Sequence, residues 1–322
     1  MGRFLLRRLL FAALLVAAAS SSALVLTRLA PGDVTAELGA GARPEQVRQL
    51  RERFDLDRGI AGQWALWVGR AVRFDFGESY LYNQPVRGLV ARAAVNTGIL
   101  ALSALVVATF CGIGLGVVTG WPGSGRRWIE GLRALSLLSV SVPPLVTSLV
   151  LVMIAARTGW FPVGGMTSTS AAALAWRPWL ADTSWHLIVP ALALALPIAA
   201  TFERLQAQAL SEVAGEPFLV AASARGVPAG DVRWRHAWRA SWRPLCGVFG
   251  MAVGSLLSGS FVVEHVTAWP GLGRLMYEAL RARDIYLVAG CAASGALFLA
   301  LGSLIGDLML VSADPRVTES ER

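Results

Sequence analysis

The sequence predicts an all-α, polytopic membrane protein built as a bundle of six hydrophobic helices, and three observations carry that expectation. Apolar residues make up 55% of the 322-residue chain and charged residues only 16%, against about 25% charged in an ordinary soluble domain. Mean hydropathy is +0.56. The apolar residues gather into six runs of near-spanning length, and most of the arginines lie between those runs. That placement argues against a nucleic-acid partner in spite of the net charge of +8, because such binders concentrate charge on a soluble face.

The first run goes from Leu9 to about Ala30, interrupted only by Arg28, behind a basic start at Arg3, Arg7 and Arg8. Ala17-Ala18-Ala19 has the small-residue character of a cleavage site. The uncharged stretch is nevertheless too long for a signal core and approaches the roughly 20 residues that span a bilayer, so a retained first helix is expected. From Pro31 to Arg92 the chain turns to mixed charge. Pro44 opens a predicted helix in which Val47, Leu50 and Phe54 recur at helical spacing. Ile60, Trp64, Trp67 and Ala71 form a second short pattern, suited to a helix at the membrane surface or to a solvated helical cap. Gly77 to Val86 reads as an irregular connection.

Five more charge-free runs follow, at about Ala93–Gly120, Ala134–Ala156, Leu187–Phe202, Pro244–Val263 and Ile285–Gly306. Arginines in alternate connections orient them. Arg126, Arg127 and Arg133 follow the second run, and Arg204, Arg225, Arg233, Arg235, Arg239 and Arg243 follow the fourth. With the basic start and with Arg316 and Arg322 at the end, these all fall on one side of a six-span arrangement, which the positive-inside rule makes cytoplasmic. Both ends are therefore expected inside. Within the runs, Gly112, Gly116 and Gly120 repeat every fourth residue, as do Gly250, Gly254 and Ser258, and then Gly302 and Gly306. Small residues at this spacing line one helix face and let backbones approach closely.

Several chemistries are missing. All 29 basic residues are arginine, so no Walker A lysine exists to reach nucleotide phosphates, and energy from ATP would have to come from a partner. Cys111, Cys246 and Cys291 lie in apolar runs and read as small buried residues. His186, His236 and His265 have no metal-ligand spacing, and no nucleophile elbow is present. No catalytic residue, metal or cofactor is expected. Glu203, Arg204, Glu264 and Asp307 are the ionisable residues in or beside the spans; their places near predicted helix ends point to snorkelling or capping. A secondary transporter or channel working alone would want charges at midspan, and an intramembrane hydrolase would need a nucleophile with its base.

The stretch Ser211–Pro244 is long for a connection and has helical signals of its own. Pro217 can open a short helix, Gly226 can end it in the left-handed conformation, and Asp231–Trp242 reads as a basic, aromatic second helix. By itself this suits either a helix that docks in a partner's groove or an amphipathic surface helix without a partner.

Val220-Ala221-Ala222-Ser223-Ala224-Arg225-Gly226, followed by Arg235-His236-Ala237-Trp238-Arg239, resembles the EAA loop of ABC importer membrane subunits. The likeness is to the B-type subunit of the oligopeptide/dipeptide/nickel permease group, with its T-A-R-A-K-G…R-H-A-L-R pattern. Leu29-Ala30-Pro31-Gly32-Asp33, Phe76-Gly77-Glu78-Ser79-Tyr80, Gln84-Pro85-Val86, Glu264 with Trp269-Pro270-Gly271-Leu272-Gly273, and Asp314-Pro315-Arg316-Val317 are similar to further segments of that group, in the same order. The chain departs from the pattern at Val220, where the original signature has glutamate, and at Arg225, where many relatives have lysine. It also lacks an aromatic residue in His265-Val266-Thr267-Ala268.

The resemblance implies a type I ABC importer (MetI-like) transmembrane domain in a bacterial inner membrane, surrounded by lipid. It implies three kinds of protein partner: a homologous second permease subunit, two ABC ATPase subunits and an extracytoplasmic substrate-binding protein. Residues 1–92 would hold the first span and a segment facing the binding protein. Residues 93–312 would be the transmembrane domain with its coupling loop at 211–244, and 313–322 a cytoplasmic tail. Phe218, Ala221, Ala222, Arg225 and Gly226 would meet the ATPase, and Glu264, Trp269, Pro270, Gly271 and Gly273 would form a periplasmic re-entrant turn. Peptides, or a related solute such as nickel, would be the cargo. The tryptophan-rich connection Arg157–His186 matches no motif.

Overall fold

A computed structural model describes residues 2–30, 45, 48, 51–52, 57–121, 127–168 and 175–313. The helix expected from Pro44, the Leu29–Asp33 match beyond Ala30, Arg126, and the Asp314–Val317 segment with the rest of the tail fall largely or wholly outside the described residues.

Helix α1 spans Gly2–Leu29 and α2 spans Ile60–Ala71. A two-residue antiparallel ladder then pairs β1 (Glu78–Ser79) with β2 (Gln84–Pro85), so the connection expected to be irregular is a small hairpin. Helix α3 is Val86–Gly120, α4 Arg127–Ser141, α5 Pro144–Thr158 and α6 Trp176–Val213. The loop that follows carries α7 (Pro217–Ala224), α8 (Ala229–Asp231), a π-helical turn (Val232–Ala237) and α9 (Trp238–Ser241). Helices α10 (Arg243–Val266), α11 (Leu272–Arg281) and α12 (Ile285–Ala313) complete the chain.

Among the described residues, five helices are long and apolar enough to cross a membrane, and a sixth span exists if α4 and α5 are counted as one bent by 112°. The expected third run, Ala134–Ala156, is thus broken in its middle. Pro143 and Pro144 explain the break: neither has an N–H to continue the α4 ladder, and each restricts the residue before it to extended backbone. Pro143 accordingly sits at ψ 148° as the cap of α5. In α6, by contrast, Pro190 and Pro197 lie inside an unbroken helix, where Thr201 Oγ1 donates back to the Pro197 carbonyl at 2.9 Å.

The chain divides into two compact units. One joins Met1–Gly98 with Pro270–Leu301, and the other joins Ile99–Trp269 with Gly302–Arg322. In the first unit α2 lies on α1, with Trp67 buried and Trp64 Nε1 donating to Ser21 Oγ at 2.8 Å. The pattern expected to float at the surface is therefore half tied down. The second unit is organised round α6, which packs against α4, α5 and α10 and buries 61% of its most apolar stretch.

The glycines of α3 and those at Gly250, Gly302 and Gly306 lie at close helix contacts. A Cβ at Gly112 would lie 2.5 Å from the Ala199 carbonyl oxygen, one at Gly116 2.6 Å from Gln206 Cβ, and one at Gly120 2.5 Å from Ala207 Cα. All three hold α3 against α6. Gly250 and Gly306 meet backbone to backbone, a Cβ at Gly306 falling 2.6 Å from Gly250 Cα, and Gly302 faces Val253. Gly254 is half-buried on the same helix as Gly250. Without a hydrophobic effect to drive helices together in lipid, such contacts supply the van der Waals attraction that replaces it. Cys246 and Cys291 are buried as expected, but Cys111 is exposed; it sits beside the exposed Phe110 on the outer face of α3.

Candidate functional site

The loop between α6 and α10 is assembled on an apolar anchor. Pro217 starts α7 at its first turn. Leu219 and Ala222, three apart on one face, enter a cluster with Val117, Leu210, Val232 and Ala237. The π turn puts Val232 and Ala237 into that cluster together. Helix α7 then closes with a Schellman arrangement. Gly226, at φ 82°, donates to the Ser223 carbonyl at 3.0 Å, and Val227 donates to the Ala222 carbonyl at 3.2 Å. A residue with a Cβ would be strained at that φ.

The opposite face is bare. Phe218 is 46% exposed and Val220 61% exposed, and Ala221 and Arg225 are exposed beside them. Arg225 Nε donates to the Ala221 carbonyl at 3.2 Å. Of the five residues expected at a partner contact, Phe218, Ala221, Arg225 and Gly226 are exposed. Ala222 is the correction: it is 4% exposed, its methyl being needed to seat the helix on the chain's own core. Trp234, Trp238 and Trp242 add exposed aromatic surface to the following segment, while Arg233 stacks over Trp121 at 4.9 Å.

Beneath the loop lies a buried polar group that the spacing of charges did not foretell. Thr119 donates its hydroxyl to Glu203 Oε1, and Arg133 donates to the Thr119 carbonyl. Gln206 Nε2 donates to Ser241 Oγ at 2.7 Å, linking α6 to α9. Glu203 is 2% exposed and lies well inside α6, so it neither snorkels nor caps. Glu264 is also fully buried near the end of α10. The signal available in the sequence was the four-residue glycine series of α3: bringing α6 this close leaves no path to water for a side chain on the facing surface.

The chain turns between α10 and α11. Ala268 adopts φ 53°, Trp269 is fully buried in the core of its unit, and Gly271 in extended backbone caps α11. Pro270 is exposed, and Gly273 is buried in the first turn of α11. Across the same unit as Trp269, the Gly165 N–H donates to the Thr267 carbonyl at 2.9 Å, and a Cβ at Gly164 would stand 2.7 Å from that oxygen. The tryptophan-rich connection is thereby fastened to the end of α10. Ser168 fastens it again, its Oγ donating to Asp182 Oδ1 at 2.6 Å and its N–H to Oδ2 at 2.7 Å.

In the other unit a cavity of about 390 Å³ opens between the start of α3 and α11, lined by Tyr82, Arg92, Asn96, Arg274 and Glu278 over an apolar wall. Arg274 Nε donates to Glu278 Oε1 at 3.0 Å, and the Tyr82 hydroxyl donates to Glu278 Oε2. Burial, reinforced by Glu278, pushes the Tyr82 phenol up to about 12. Nearby, Asp284 accepts from Ser79 Oγ at 2.6 Å and from the N–H groups of Leu81 and Leu287 at 3.1 Å each. Burial raises its carboxyl above the usual range, and these donors pull it back.

Comparison with known proteins identifies the family. Residues 112–319 match the family described as binding-protein-dependent transport system inner membrane component. The chain belongs to that family. The oligopeptide transport system permease protein OppB of Mycobacterium tuberculosis is 34% identical over 331 residues, covering 99% of this chain and all of the relative, and that of Mycobacterium bovis is equally similar. A Brucella abortus protein, provisionally named a peptide transport system permease protein, is 32% identical over 321 residues, covering 98% of this chain and 99% of its own. As an inner membrane component of this family, the chain is a multi-pass membrane protein and the permease part of a transporter, not an enzyme. The family is the one whose EAA loop the Ser211–Pro244 segment resembles.

Proposed function

We propose that this permease forms one half of the pathway of an ATP-driven importer for peptides, which reach it on an extracytoplasmic binding protein. The observation that carries this reading is the outward face of α7, where Phe218, Ala221 and Arg225 stand exposed on a helix whose other face is locked into the chain. A rigid helix with an unpartnered phenylalanine can transmit a push, because Leu219 and Ala222 make α7 move with the cluster that also holds Val117 of α3 and Leu210 of α6. ATP binding would draw two partner ATPases together, carry this helix and its counterpart on a homologous permease subunit inward, and tilt the spans to open outward. Hydrolysis would reset them. The peptide cargo is taken over from the names of the relatives, and the arginine distribution supports an arrangement with both termini in the cytoplasm.

The test is reconstitution with the second permease, the ATPases and the binding protein. Phe218→Asp removes a large exposed apolar contact and places a charge in its stead. A residue of this kind at an interface centre is worth about 2 kcal/mol or more, so ATP-dependent uptake should fall at least about thirtyfold while the membrane subunits still fold. A Phe218→Asp complex that assembles and transports like the wild type would defeat the coupling assignment. Uptake into vesicles that hold no ATPase would instead mark a secondary transporter.

A further inference from the structure

We infer that the cavity between the start of α3 and α11 is a carboxylate-binding site that receives the C-terminal end of a short peptide; this rests on the peptide reading above and deepens it.

The charges in the cavity do not balance. Glu278 is fully engaged, with Arg274 on one oxygen and the Tyr82 hydroxyl on the other, so it neutralises Arg274 and has little to offer a cation. Arg92 is left over. Its Nη2 donates to Gln84 Oε1 at 3.1 Å, a neutral acceptor, and among the described residues it pairs with no carboxylate. A guanidinium keeps its charge at any physiological pH and carries five N–H donors, of which one is used. The cavity therefore holds one net positive charge with spare, forked donors, the arrangement that binds a planar monoanion through two parallel hydrogen bonds.

Size and wall narrow the guest further. At about 390 Å³ the space lies at the low end of the roughly 300–1,000 Å³ of small-molecule sites. It can enclose the last residue or two of a peptide and not a long one. Leu89 and Leu275 supply an apolar side to the cavity, which suits a side chain next to the carboxylate without selecting its type. Tyr82 and Glu278 brace each other and Asn96 Nδ2 is bound to the Pro270 carbonyl at 2.8 Å, so the walls are preorganised. Arg92 is exposed and stays solvated until a guest arrives, which keeps the empty site from costing stability.

The experiment uses the full importer in nanodiscs, without binding protein, titrated with a fluorescent tripeptide ending in a free carboxylate and with the same peptide as its C-terminal amide. A charge-assisted hydrogen-bonded pair predicts that the free acid binds at least about tenfold more tightly. Arg92→Gln should bring the two forms to within about twofold, and Arg92→Lys should restore part of the preference, because a point charge replaces the fork. Equal binding of acid and amide by the wild type, binding of neither, or a preference that survives in Arg92→Gln overturns the site. ATP-driven uptake of the same tripeptide by the wild type, with binding protein present, is measured alongside. Uptake without a terminal preference sinks the carboxylate site alone, whereas absence of any peptide uptake sinks the peptide reading with it.

Discussion

Asp284 and Glu203 are both carboxylates buried to 2% exposure, yet they are treated in opposite ways by their surroundings. Asp284 caps the start of α12 through the Leu287 N–H and also holds Ser79 and Leu81 of the small hairpin, more than two hundred residues away in sequence. Glu203 receives the Thr119 hydroxyl on one oxygen, and its other oxygen has no hydrogen-bond partner among the described residues. Gln206 Oε1, one turn on, is in the same condition. A buried polar atom without a partner forfeits solvation that nothing replaces. The first carboxylate is therefore held by donors from both ends of its unit, while the second keeps one oxygen unmet beside another unmet acceptor.

The contrast is most directly broken at Asp284. Asp284→Ala strands the Ser79 hydroxyl and the Leu81 N–H in a buried setting, and a loss of about 3 kcal/mol or more is expected in unfolding titrations with denaturing detergent. Asp284→Asn should recover part of it, since the amide oxygen still accepts. A cost for Asp284→Ala no larger than that of an ordinary surface substitution would remove the distinction.

Tyr82→Phe sharpens the comparison inside the same unit. It deprives Glu278 of one donor and should cost about 1 kcal/mol near neutral pH. The phenol is raised from its ordinary 10.0 to about 12, so the folded state holds the proton more tightly than the unfolded state. Tyr82's contribution is complete below pH 10 and is lost as pH rises through about 12. The stability gap between wild type and Tyr82→Phe should close across that window; a gap constant up to pH 12 would show that the Tyr82–Glu278 bond is not what the substitution removed.

Glu203→Gln should be the smallest in stability, within about 0.5 kcal/mol of wild type, because an amide can still accept the Thr119 hydroxyl while the buried charge disappears. Its effect belongs in coupling. The ratio of peptide transported to ATP hydrolysed should change although the protein melts as before. A variant that loses as much stability as Asp284→Ala would mean the two carboxylates play the same structural part.

Much of this was legible in the residues, and what was missed has a common cause. The run lengths placed the spans, the glycine series located the closest helix contact, and Pro217 with Gly226 marked both ends of the exposed helix, because each depends on residues within a turn or two of one another. The break at Pro143-Pro144 was equally local and was overlooked inside an apolar run. In the sequence Glu203 reads as a helix-end charge, since its burial depends on α3 lying against α6, and Ala222 reads as a contact residue, since only the cluster with Val232 and Ala237 turns it in.

The sequence by itself determined that this is a membrane bundle with a short helix in the long Ser211–Pro244 connection and with arginine as its only strong base. Composition and short-range spacing suffice for that, as hydrogen bonding within a helix and transfer into lipid are properties of single segments. Tertiary structure alone decided which carboxylate is satisfied, which face of α7 is free, and that Tyr82, Arg92 and Glu278 share one cavity. Those outcomes require distant segments to meet, 84 positions apart for Thr119 and Glu203 and 205 for Ser79 and Asp284, and no local pattern records where a chain will return to itself.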